Sequence, residues 1–66
     1  MKNYPYYAIE KIGEGKRHCY VIKKVVNDYL LMPANSGRYR TEDAARQAAD
    51  ALGIGIEAVG DLYEII

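Results

Sequence analysis

The chain reads as an α+β domain of order β-β-β-α-β: a mainly antiparallel four-stranded sheet with one helix packed on a face. Three observations predict it. Residues 6–32 are rich in β-branched and aromatic residues in alternation, broken by turn formers. Residues 42–52 carry alanine and leucine at helical spacing behind a capping threonine. Residues 62–66 return to an alternating apolar pattern. A chain of 66 residues holds these elements as a single domain, residues 1–66.

The first strand is expected over Tyr6–Ile12, with Tyr7 and Ile9 on one face and Tyr6, Ala8 and Ile12 on the other. Gly13-Glu14-Gly15-Lys16 supplies a flexible turn. The second strand, Arg17–Val26, places Cys19, Val21 and Val25 opposite Tyr20, Ile22 and Val26. Asn27-Asp28 reads as a two-residue hairpin turn because both residue types tolerate positive φ. A short third strand, Tyr29–Met32, stops at Pro33, and Pro33–Gly37 is loop.

Thr41 is the expected N-cap, with Glu42 and Asp43 in the first turn, where the helix dipole favours negative charge. The helix is expected over Glu42–Leu52 with Ala45, Ala48, Ala49 and Leu52 as its apolar stripe, and Gly53 as the residue that ends it. Residues 54–60 are ambiguous, since Ile56 and Val59 have the spacing of one helical turn. The fourth strand is expected over Leu62–Ile66.

Composition bounds the core and the chemistry. A domain this small buries only about 60% of the surface its unfolded chain exposes. All seven aromatic residues are tyrosines, whose hydroxyls need water or a partner, so several rings belong at the margin of the core. The single cysteine, Cys19, excludes an internal disulfide and favours a reducing, cytoplasmic setting. No apolar run is long enough to span a bilayer, and the first residues carry no signal-peptide pattern. A soluble, monomeric domain that does not act at a membrane is expected.

Catalytic constellations are missing. His18 and Cys19 are adjacent, but neighbours on a strand project to opposite faces, so they do not form a nucleophile–base pair. One histidine and one cysteine do not close a metal site. Gly13-Glu14-Gly15-Lys16 lacks the spacer and the hydroxyl residue of a phosphate-binding loop, and it joins two strands. Gly53-Ile54-Gly55-Ile56-Glu57-Ala58 matches a dinucleotide fingerprint as a string but follows a helix instead of a strand. No enzyme activity, cofactor, metal or small-molecule substrate is expected.

Charge is the informative property. Nine basic and nine acidic residues cancel overall. Yet residues 1–40 hold eight basic residues against three acidic, and residues 41–66 hold one against six. Such asymmetry concerns partners, because surface potential steers association. Two candidate surfaces follow. Asp50, Glu57, Asp61 and Glu64, with Tyr63 as an aromatic anchor, would form an acidic face for a basic protein surface. Arg17, Lys23, Arg38 and Arg40, interleaved with Tyr20, Tyr29 and Tyr39, would instead meet nucleic-acid phosphates. Lys24 projects opposite to Lys23 and does not join that set.

Two resemblances bear on the choice. Gly37-Arg38-Tyr39-Arg40-Thr41-Glu42-Asp43-Ala44-Ala45-Arg46, following three strands, resembles the strand-to-helix passage of AP2-type and integrase arm-type DNA-binding domains. That likeness implies three strands entering a major groove with a helix behind them. It covers about a sixth of the chain, and the tryptophan and the arginine- and glycine-rich first strands of that family are absent here. In size and character the chain is similar to small phage-encoded anti-CRISPR and host-takeover inhibitors, which share no motif and often act as acidic DNA mimics. The resulting expectation is a non-enzymatic protein that inhibits or regulates a larger nucleic-acid-handling complex through its acidic and aromatic face. The alternative is a DNA-binding module built on a basic three-stranded sheet. A third reading is an assembly module that pairs through a sheet edge.

Overall fold

The computed structural model of the chain describes residues 4–61. Alternating apolar residues and tight turns produce β1 (Tyr6–Glu14), β2 (Arg17–Asn27) and β3 (Leu30–Pro33). Helix α1 (Glu42–Ala51) and β4 (Ile56–Gly60) follow. The sheet order is β3-β2-β1-β4, antiparallel except for the β1–β4 pair. The α+β class and the β-β-β-α-β order are as the sequence predicts. Since β3 runs parallel to β4, the helix connects two edge strands across the central β1–β2 hairpin. Among the described residues no helix is long and apolar enough to cross a membrane.

The β1–β2 register pairs Tyr6 with Val25, Ala8 with Lys23, Ile9 with Ile22 and Ile12 with Cys19. The sheet thus buries residues on both faces. Tyr6, Ala8 and Val25 form one cluster, backed by Leu31 and Ala58. Ile9 and Ile22, fully buried, face the other way. The helix contacts β1 and β2, and its buried residues, Ala45 and Ala49, stand outside the first cluster. It therefore covers Ile9 and Ile22, where alanine lets its backbone approach the sheet closely. Cys19, Val21 and Lys23 lie on the opposite face, which buries Tyr6, Ala8 and Val25 at one end and is open only toward Ile12 and Cys19 at the other.

Local chemistry sets the element ends. The Thr41 side chain accepts from the Ala44 amide at 3.1 Å, the expected cap. Beyond the C-cap Leu52, Gly53 (φ 73°) donates to the Asp50 carbonyl and Ile54 to that of Ala49, at 3.0 and 2.9 Å. That double bond pattern is a Schellman motif. Leu52 itself is 53% exposed, so the expected apolar stripe stops at Ala49 in the core. β1 runs on to Glu14, leaving Gly15-Lys16 as the turn. Gly15 alone takes positive φ there, the requirement of a type II′ hairpin.

One expectation is corrected, and an ambiguous segment is resolved. The second hairpin turns on Asp28-Tyr29, one residue later than expected. The Asn27 carboxamide accepts from the Tyr29 amide at 2.8 Å, so the turn forms without a positive φ. The fourth strand is Ile56–Gly60, and the expected strand Leu62–Ile66 lies outside the described residues. A bulge at Glu57 explains the ambiguity. β1 pairs Tyr7 with Ile56, then Ala8 with Ala58 and Ile9 with Val59. Ile56 and Val59 thus share a face despite a spacing that mimics a helical turn.

Candidate nucleic-acid interface

The basic residues are gathered by the path of the chain after β3. The Ala34 amide still donates to the Ile22 carbonyl at 2.9 Å, and Tyr39 then pairs with Tyr20 through both backbone groups. Between those points β2 advances from Ile22 only to Tyr20, so Asn35–Arg38 bow outward as a loop along the β2 edge. Three contacts hold that loop. The Asn35 carboxamide accepts from the Gly37 amide at 3.2 Å and donates to the Tyr39 hydroxyl at 3.1 Å. Gly37 lies so close to the Tyr39 ring that a Cβ there would sit 2.4 Å from its hydroxyl oxygen.

Alternation does the rest. Tyr39 shares a face with its partner Tyr20, on the helix side, which sends Arg38 and Arg40 toward the open face with Arg17 and Cys19. There, Lys16, Arg17, Cys19, Arg38 and Arg40 line a hollow of about 530 Å³ together with His18 and Tyr39. All four cations are exposed. Ion pairs among the described residues are Lys23–Glu10 at 3.8 Å and Arg46–Glu42 at 2.8 Å, so none of the four is neutralised. Glu14 is the register partner of Arg17 but makes no ion pair with it.

A second hollow of about 250 Å³ adjoins the first and shares Arg38 with it. Ile12, Val21 and Pro33 give it apolar walls, and Asn35, Ser36 and Gly37 form its rim. Lys23 lines it as well, held by Glu10. The two hollows therefore bring Arg17, Lys23, Arg38 and Arg40 onto one continuous face, with Lys16 as an addition that sequence reasoning missed. Its position at the hairpin tip beside Arg17 was the available signal.

The acidic candidates among the described residues line neither hollow. Asp50 sits near the end of α1, Glu57 on the edge strand β4 and Asp61 just beyond it, all three exposed. Tyr63 and Glu64 lie outside the described residues. His18 and Cys19 project to opposite sides of β2, and the His18 Nδ1 contacts the Gly15 carbonyl. Among the described residues no cluster of histidine, cysteine or acids is able to hold a metal ion. No family model, curated protein or solved structure matches this chain.

Proposed function

We propose that this protein is a non-enzymatic nucleic-acid-binding module that holds phosphates on the open face of its sheet. One observation carries the reading: Lys16, Arg17, Arg38 and Arg40, from two distant segments, line one hollow as unpaired cations. Four cations converging without a carboxylate partner repel one another, and phosphates relieve that repulsion while releasing condensed counterions. The neutral net charge does not oppose this, because the field that steers a polyanion is the local one. Such a ligand and the free thiol of Cys19 both suit a place inside the cell. This reading takes precedence over an acidic-surface inhibitor because the basic candidates line shared hollows, and Asp50, Glu57 and Asp61 line neither of them.

The test is fluorescence anisotropy of labelled duplex and single-stranded DNA over a series of salt concentrations. If all four cations meet phosphates, the logarithm of affinity falls against log salt with a slope of about −3 to −4 on duplex. Arg38→Ala flattens that slope by about one and weakens binding regardless of base sequence. Absence of binding at low salt overturns the proposal.

A further inference from the structure

We infer that the smaller hollow seats an unpaired base, so that the favoured ligand is a single strand whose phosphates lie in the adjoining basic hollow. The inference rests on the nucleic-acid reading and extends it from charge to shape. The larger hollow offers cations. The smaller one, about 250 Å³ and below the usual size of a drug-like pocket, has two cations, Lys23 and Arg38, and adds aliphatic walls. Ile12, which is half exposed, Val21 and Pro33 give it apolar walls beside the polar side chains of Lys23, Asn35, Ser36 and Arg38. A planar ring covers such walls without leaving a polar group unpaired, whereas a phosphate gains nothing from them.

Arg38 lines both hollows. Its guanidinium is at once a phosphate donor and a plane on which a base stacks, the combination single-strand binders use. The rim is also preorganised. Asn35 is bonded to Gly37 and to Tyr39, and Gly37 is packed on the Tyr39 ring, so ordering this loop on binding costs little. Ser36, exposed on the same rim, brings a hydroxyl to the edge of the seat. A base inside a duplex has its faces stacked and does not reach the seat.

The experiment compares two single strands of equal length and charge by anisotropy: oligodeoxythymidine and its abasic counterpart. The wild-type protein is expected to bind the oligodeoxythymidine about tenfold more tightly, the effect of one seated base. Ile12→Ala removes a wall from an exposed position, and Ser36→Leu fills the seat without changing charge. Both variants are expected to bring oligodeoxythymidine down to the abasic level at an unchanged salt slope. Arg40→Ala is expected to weaken both strands alike. Equal binding of the two strands by the wild type, or a preference that survives both Ile12→Ala and Ser36→Leu, overturns the base seat and leaves the phosphate hollow standing. If neither strand binds at low salt, the nucleic-acid reading falls with it.

Discussion

Tyr39 and Tyr20 exchange both backbone hydrogen bonds, at 2.7 and 2.8 Å, after a loop that has left the sheet and come back. This isolated bridge fixes which way the next residues project. With Tyr39 committed to the helix side, Arg38 and Arg40 are delivered to the open face beside Arg17. The side chain of Tyr39 tightens the same loop by accepting from Asn35. One tyrosine thus sets both the register and the shape of the basic hollow.

Gly37 is the weak point of that arrangement. A Cβ at Gly37 meets the Tyr39 hydroxyl oxygen at 2.4 Å and its Cζ at 2.8 Å, so Gly37→Ala must shift the end of the Tyr39 side chain, which the Asn35 bond resists. Overpacking of this kind costs about 1–3 kcal/mol. Gly55→Ala is the control, since its Cβ meets nothing within 4 Å. Urea unfolding is expected to show a lowered midpoint for Gly37→Ala and a midpoint at or slightly above wild type for Gly55→Ala. Equal midpoints would show that the loop is not held by this contact.

Tyr4 carries a pH signature. Its hydroxyl donates to the Asp28 carboxylate at the second hairpin turn. That bond, with lesser help from burial and from the charge of Asp28, pushes the phenol from an ordinary 10.0 up to about 12. The folded state therefore holds this proton more tightly than the unfolded chain. The stability gained is full below pH 10.0 and is lost as pH rises from there through about 12. Titration of the tyrosinate absorbance is expected to show one ring ionising late, and Asp28→Ala is expected to return it to the ordinary range.

Much of this fold is legible in the sequence, and the failures have identifiable causes. Face alternation along β1 and β2 is readable because one face of each buries Ile9 and Ile22 and the other buries Tyr6, Ala8 and Val25. The Thr41 cap and the Gly53 stop depend on chemistry within a few residues, so they are readable too. β4 is not, because the bulge at Glu57 gives a strand the spacing of a helix. The candidate site is only half legible. Arg17, Lys23, Arg38 and Arg40 stand out as residue types, but their convergence depends on the Tyr20–Tyr39 bridge, a long-range pairing with no local signature. Nor does the sequence show which face the helix takes, since both faces are apolar.

Pro33 guards the outer edge of the sheet. The Ala34 amide donates to the Ile22 carbonyl, which makes Lys23–Pro33 a non-hydrogen-bonded pair. The backbone of Pro33 therefore faces away from β2, where the missing N–H denies a donor to an incoming strand. Leu30 and Met32, both about half exposed, would otherwise make this short edge adhesive. Pro33→Val restores the donor and a β-forming side chain. On a sizing column it is expected to show concentration-dependent association that the wild type lacks. Association by the wild type itself at the same concentrations would instead favour an assembly module that pairs through this edge.

Charge reversal separates the two surfaces that the sequence offers. Arg17→Glu and Arg38→Glu place carboxylates in the hollow that four cations line, so each is expected to lower affinity for duplex DNA at low salt by about tenfold or more. Asp50→Lys and Glu57→Lys change exposed residues on the helix and on β4, outside both hollows. These raise the overall charge but add no contact at the site, and affinity is expected to stay within about threefold. All four substituted positions are exposed, so unfolding midpoints are expected to remain near wild type. The contrast matters more than either result alone. If the arginine reversals were silent while the acidic reversals abolished capture of a basic protein partner, the open face would be ordinary solvated surface and the acidic half the functional one.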